Sequence, residues 1–390
     1  MRKFVAVLGL MLALAASGTA RAADPYDVHV ILPLTGNGAF LGHGHQDSLE
    51  TLADVVNKSG GIAGRPLHFV YHDDQSSPQV AVQLTNDVIA TKPAVFLGSS
   101  LVAMCAAMAP LTQNGPVDYC LSPAYHPAPG GFVFSAGSST TDQTAAVFRY
   151  YRMKGWTKIA TLNNTDASGQ SGDKSLDEIV ARPENKDMKL VTREHFNPSD
   201  ISVAAQIESI RASGAQAIYA AVTGTAAATV FRGMIQAGLD IPLEVTSGNQ
   251  SFPQMEQWAS FLPKTLVLSS AAFPEHDGVL TLDPKVEAAQ HDMYAALKSR
   301  GLKADNMEAT SWDAGLIVVA ALRALGPAAT AEQVRQYIAN LTDFAGIDGI
   351  YDFKANPERG VGPDSAIVVR YDDKAKAWVW LTKPGGIPLN

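Results

Sequence analysis

Clustered glycines, a proline and a pair of aspartates in residues 57–78, NKSGGIAGRPLHFVYHDDQSSP, constrain the fold of this chain more than any other stretch. Gly60, Gly61 and Gly64 supply positions that tolerate positive φ, as needed to end a helix and reverse the chain. Pro66 has no N–H to donate, which suits the first position of a following strand. Leu67, Phe69 and Tyr71 alternate with His68, Val70 and His72, and this period of two predicts a strand that stops at Asp73-Asp74. Ser76, Ser77 and Pro78 then announce a helix. Helix, turn, strand, loop and helix in that order form the unit from which helix-covered parallel sheets are built.

The same alternation runs along the chain. Strands are predicted at 28–32, 67–73, 94–98 and 117–121, with helices at 45–58, 78–91 and 102–113 between them. A polar run, Ser138-Ser139-Thr140-Thr141-Asp142, precedes a second series. It comprises helices at 143–154, 171–181, 201–213 and 225–237 and strands at 158–162, 189–195, 217–221 and 243–246. Helices at 284–300, 307–325 and 331–340 follow, then strands at 349–353, 366–371 and 377–381. The 390 residues exceed one ordinary core, and 46% hydrophobic with 17% charged residues describes a globular chain. The expectation is an α/β protein of two doubly wound Rossmann-like lobes, whose ligands bind beyond the carboxyl ends of the strands.

The first 22 residues read as a cleavable secretory leader. Arg2-Lys3 are the basic start, residues 4–16 the apolar run and Ala20-Arg21-Ala22 the cleavage site. That run falls short of the ~20 residues a spanning helix needs. A lipid anchor would require a cysteine at the cleavage point, and Cys105 and Cys120 lie far downstream. The formal net charge of −8 loses three positive charges with the leader. This acidic balance argues against nucleic acid and anionic lipid as partners. In an oxidising compartment the two cysteines suggest one disulfide, with two buried free thiols as the alternative.

Residues 57–78 closely resemble the NxxGGI.G..l..v..DD...P signature of the periplasmic leucine/isoleucine/valine-binding protein family, the receptors of branched-chain-type ABC importers. The resemblance extends over nearly all of 26–381. It implies the type I periplasmic-binding-protein fold, with a three-segment hinge that closes on a small-molecule ligand. It also implies a periplasmic location, inner-membrane ABC permease subunits as partners, no cofactor and no catalysis; a monomer is expected. Lobe 1 is placed at 23–140 with 270–345 and lobe 2 at 141–269 with 346–390, the later crossings lying near 269–273 and 343–350.

Several loops are candidates for ligand contact. Gly98-Ser99-Ser100-Leu101 follows a strand and opens a helix, where free N–H groups and serine hydroxyls suit a carboxylate. The family holds its ligand's carboxylate there, with Ser99 and Ser100 unranked. Ser122-Pro123-Ala124-Tyr125-His126 resembles the family's T-P-A-A-T loop, which places Ala124 and His126 at contact positions with Tyr125 between. Phe40 and Leu41 fall where the family has an aromatic wall. Ser168 and Thr223 align with two family tyrosines and shrink the contacting groups. The loop Thr246-Ser247-Gly248-Asn249-Gln250 carries no acid where amino-acid binders place one against the ligand's ammonium. Ser247 and Asn249 offer neutral acceptors, with Gly248 between them.

A buried ammonium left without a carboxylate is costly. The expected ligand is therefore a small carboxylate without an α-amino group, an aromatic acid foremost. An aliphatic amino acid paired with Asp166 is the second reading, and a short amide or urea the third. A ligand-sensing domain for a signalling partner is the alternative class. The glycine-rich loop at 35–42 lacks G-x-G-x-x-G spacing, no G-x-S-x-G elbow or H-E-x-x-H helix is present, and His43-x-His45 with Asp47 lacks zinc spacing. Asp73-Asp74 reads as a loop-capping or lobe-stabilising pair.

Overall fold

The computed structural model describes residues 23–271 and 281–389. The leader, and 272–273 of the expected second crossing, lie outside the described residues. The first lobe is built from β1 (Tyr26–Leu32), α1 (Ala39–Lys58), β2 (Leu67–Asp73), α2 (Pro78–Ala90), β3 (Val95–Leu97), α3 (Val102–Met108), β4 (Val117–Cys120) and β5 (Val133–Ser135). Its sheet has the order β2-β1-β3-β4-β5, with every pairing parallel. Val28, Val30 and Leu32 of β1 join Leu49, Leu52 and Val56 of α1 in one core. Ile31 points to the opposite face, into a second cluster with Phe96, Met104, Cys105 and Cys120. Burial on both faces explains why the central strand β3, Val95-Phe96-Leu97, is an uninterrupted apolar run.

The second lobe follows with α4 (Thr140–Met153), β6 (Lys158–Asn164), α5 (Ala167–Val180), β7 (Lys189–Phe196), α6 (Ala204–Ser213), β8 (Ala217–Ala220), α7 (Thr225–Ala237), β9 (Leu243–Val245), α8 (Phe252–Trp258) and β10 (Leu266–Ala271). The chain then returns to the first lobe with α9 (Pro284–Ser299), α10 (Asn306–Leu325), α11 (Ala331–Ala339) and the small pair β11 (Phe344–Ala345) and β12 (Ile350–Tyr351). It ends on the second with β13 (Ala366–Asp372) and β14 (Ala377–Trp380). The second sheet has the order β14-β13-β10-β9-β8-β6-β7, and β13 runs antiparallel to both its neighbours. Two α/β lobes connected by three crossings result.

Residues 57–78 build the first lobe's edge. At Gly61, with φ of 65°, a Cβ would stand 2.0 Å from the Arg65 carbonyl oxygen. The Asn57 side chain accepts from the Leu67 N–H at 2.6 Å and donates to the Leu67 carbonyl at 3.0 Å, capping the edge of β2 where no strand among the described residues pairs. Asp73 ties the β1 and β2 loops together: Oδ1 accepts from the N–H groups of Leu34, Thr35 and Gln75, and Oδ2 from the Thr35 hydroxyl. Asp74 accepts from the Ser76 N–H at 2.8 Å and the Ser99 hydroxyl at 2.6 Å. The aspartates are lobe-stabilising groups, and Cys105 and Cys120 are joined as a disulfide with Cα atoms 5.9 Å apart.

The structure differs from the sequence reading at several places. Helix α1 begins six residues before the expected 45, because its glycines are required by contact: a Cβ on Gly42 would stand 2.1 Å from the Pro33 carbonyl oxygen. The second crossing, expected to begin at 269, is strand β10 as far as Ala271, and the short elements β5 and α8 carry no periodicity long enough to read. Residues 347–361, expected in lobe 2, contribute Ile347, Tyr351, Phe353 and Val361 to the first lobe's core. The aromatic side chains of that segment find their partners there, Phe353 meeting Phe134 edge-on with ring centres 5.7 Å apart.

Candidate functional site

The strand ends of both lobes converge on a cleft with a cavity of about 330 Å³. This falls within the range of sites that enclose a small ligand. The first lobe contributes the loop into α3 (Ser100, Leu101), the loop after β4 (Ser122, Pro123, Ala124) and the start of α1 (Phe40, Leu41, His45). The second lobe contributes Asp166 and Ser168 at the start of α5, Thr223 after β8, and Thr246, Ser247 and Gly248 after β9. No lysine or arginine is among the described residues that line it. Met104, Leu121 and Met307 add buried apolar surface, and the Phe40 ring lies against Gly224 of the other lobe.

Of the residues expected at the site, Phe40, Leu41, Ser100, Leu101, Ala124, Ser168, Thr223, Ser247 and Gly248 line the cavity. Ser99, Tyr125, His126 and Asn249 do not, and each has another role. The Ser99 hydroxyl is committed to Asp74, which leaves Ser100 as the serine at the cleft, 8% exposed and with its Oγ unpartnered among the described residues. The Tyr125 carbonyl accepts from the buried Arg359 guanidinium, which also donates to the carbonyls of Pro123 and Gly137. His126 Nε2 lies 3.3 Å from the Thr140 hydroxyl, beside the crossing between the lobes. Asn249 is fully buried; its amide donates to the Val222 carbonyl at 2.8 Å and accepts from the Gly224 N–H at 2.9 Å, holding the loops after β8 and β9 together.

Smaller commitments shape the rest of the wall. Asp166 caps α5 through Oδ1, which accepts from the N–H groups of Ser168 and Gly169 and from the Ser168 hydroxyl. The Thr223 and Thr246 hydroxyls pair at 3.0 Å. The Ala124 carbonyl, expected to meet ligand, accepts from the Ser171 hydroxyl of the opposite lobe at 3.1 Å. A second link between the lobes is Asp305, which accepts from the Phe252 N–H at 2.7 Å and from the Trp378 indole at 3.3 Å.

His45 and Glu244 are among the lining residues that the sequence reading of contacts did not name. His45 is 2% exposed, and burial lowers its pKa to about 3, so the ring is neutral and can act as a single N–H donor. No group of metal-holding side chains exists among the described residues. Glu244, in the middle of β9, also lines the cavity and is 2% exposed. The acid-free expectation for the loop at 246–250 holds for that loop alone, because strand β9 brings an acid in from below. Burial pushes the Glu244 carboxyl up to about 8 against a smaller opposing effect of the Ser269 hydroxyl, so it is mostly protonated at neutral pH. The available signal was the acid itself, set between Leu243 and Val245 in a buried strand.

No helix among the described residues is long and apolar enough to cross a membrane. Comparison with known proteins agrees with the geometry. The model of the family described as "Periplasmic binding protein" matches residues 25–376. A curated relative, the Leu/Ile/Val-binding protein homolog 3 of Brucella melitensis, is 24% identical over 245 residues; the match covers 60% of this chain and 63% of that protein's length. Among solved structures, an extracellular ligand-binding receptor from Rhodopseudomonas palustris superposes with a TM-score of 0.81 at 18% identity, over 92% of this chain and 100% of the other. An ABC transporter solute-binding protein from R. palustris in complex with benzoate gives 0.76 at 19% identity, over 93% and 97%. These likenesses establish the fold, and the family match over most of the length establishes kinship: the chain belongs to the periplasmic binding protein family.

Proposed function

We propose that the chain is the periplasmic receptor of an ABC importer, a binding protein without catalysis, and that it captures a small carboxylate, foremost an aromatic acid, between its lobes. The observation that carries this reading is the Ser100 hydroxyl, buried at the cleft wall and unpartnered among the described residues, beside the apolar surface of Phe40, Leu41 and Leu101. A carboxylate there would accept from the serine while its ring or chain covers the apolar wall. The fold neighbour from R. palustris that holds benzoate supports the same ligand class. Closure about the three crossings would add contacts from Ser168, Thr223, Ser247 and Gly248, and the permease would recognise the closed form.

Titration calorimetry with benzoate-type acids and with leucine tests the proposal. The acids are expected to bind, and Ser100→Ala to weaken them by about 10- to 100-fold, the value of a hydrogen bond to a charged group. Tight leucine binding with no response to the acids would sink the reading.

Two observations favour a second ligand class. Asp166 lines the same cavity, and the curated relative from Brucella is described as a Leu/Ile/Val-binding protein homolog. In that case Asp166 would pair an α-ammonium, and Asp166→Asn would abolish amino-acid binding.

A further inference from the structure

The cleft has a polar floor in the second lobe. Leu243 and Val245 of β9 enter one core cluster, so Glu244 between them projects from the opposite face of the sheet. There it meets Tyr219 of β8, its direct neighbour in the ladder, together with Ser269 of β10 and the first turns of α4. The Ser269 hydroxyl lies between the Glu244 carboxyl and Gln143 Oε1, 3.2 Å from the latter. The Gln143 amide donates to the Ser138 carbonyl at 2.9 Å, and the Tyr219 hydroxyl pairs with Thr144 at 3.0 Å. These neighbours have found partners. Glu244 Oε2 has none among the described residues, although it is buried and its residue lines the cavity.

A buried oxygen without a hydrogen bond is costly and rare, and one at a cleft is explained by a ligand group that supplies the bond. We propose that Glu244, with Ser269 and Gln143 beside it, is a specificity residue that receives a neutral hydroxyl at the far end of the ligand, so that the cargo is a hydroxy-substituted carboxylic acid. This rests on the carboxylate reading above and adds the second end of the molecule. The chemistry of the recess selects a neutral group: Gln143, Thr144, Tyr219 and Ser269 are uncharged. A protonated Glu244 offers both a donor and an acceptor, which matches a hydroxyl. An ammonium would instead require Glu244 to ionise in the recess and release its proton.

The test is titration calorimetry with matched acids: 4-hydroxybenzoate against benzoate, and 3-(4-hydroxyphenyl)propionate against 3-phenylpropionate. Each is run in two buffers of different ionisation enthalpy, on the unaltered protein, Glu244→Gln and Glu244→Met. The unaltered protein is expected to prefer the hydroxylated member of at least one pair by about tenfold or more, without releasing a proton. Glu244→Gln, which keeps a donor and an acceptor, retains the preference, and Glu244→Met brings the ratio near one. Should Glu244→Met fail to fold, the unaltered protein and Glu244→Gln decide the matter. Equal binding of both members in the unaltered protein overturns the inference while the carboxylate reading stands. No binding by any acid overturns both. Preference for an amine-bearing acid, with about one proton released, overturns the assignment of a neutral group.

Discussion

Replacing Asn57 with alanine should lower the stability of the protein by about 1 kcal/mol, and the reason lies at the edge of the first sheet. Strand β2 is the outermost strand, and Leu67 at its start has both backbone groups occupied by the Asn57 side chain, at 2.6 and 3.0 Å. Two neutral hydrogen bonds are worth about 1–3 kcal/mol together. Asn57 is exposed, so water can reach the vacated groups and the lower half of that range applies. Alanine also recovers roughly 0.5 kcal/mol as the better helix former near the end of α1. Urea denaturation followed by far-UV circular dichroism reads the change as a shift of midpoint at constant slope. Asn57→Asp separates the two bonds, since its carboxylate still accepts from the Leu67 N–H but sets an oxygen against the Leu67 carbonyl. It should lose at least as much as Asn57→Ala. Should Asn57→Ala stay within about 0.3 kcal/mol of the unaltered protein, too little to register against hydrogen bonds of this size, the edge-capping argument is refuted.

Further outcomes are expected. Ser99→Ala should reduce stability by about 1–2 kcal/mol, because Asp74 loses the partner of a buried oxygen, whereas Ser100→Ala should act on acid affinity; calorimetry beside thermal unfolding separates the adjacent serines. For Glu244, burial raises the folded-state pKa from 4.5 to about 8, so between those values the unfolded chain releases a proton that the folded protein retains. This group's contribution is therefore fully present below pH 4.5 and lost as pH rises toward 8. Relative to the unaltered protein, Glu244→Gln should gain stability over that window, by up to about 4 kcal/mol at pH 8, and parallel pH–stability curves would disprove it. Removing the Cys105–Cys120 link by double serine substitution, which reopens a 15-residue separation, should cost about 3 kcal/mol. Equal unfolding midpoints with and without reductant would contradict this.

The stretch 57–78 carried the architecture in plain view, since each of its signals is local. Glycine at Gly61 answers to a contact four residues away with Arg65, Pro66 to the start of its own strand, and Ser77 and Pro78 to the helix they begin. Strand β2 accordingly runs over the expected residues, whereas β5 and α8, too short for any period to establish itself, were illegible. The aspartates were legible as a stabilising pair because a carboxylate at a strand end commonly bonds nearby backbone.

The site divides differently. Sequence determined the loops that reach the cleft and the residue types they bring, because strand ends in doubly wound sheets converge in a known way. It could not rank Ser99 against Ser100, for successive residues point in opposite directions and only the place of Asp74, 25 residues away, takes Ser99 out of reach. Nor could it foresee that Asn249 is absorbed by Val222 and Gly224. Least of all could it place Glu244, since alternation along Leu243-Glu244-Val245 assigns the acid to a face without saying what covers that face. Only the tertiary fold, laying the first turns of α4 over that face and opening the cavity onto it, made the acid a wall of the cleft: local sequence sets direction, and packing between distant segments sets surroundings.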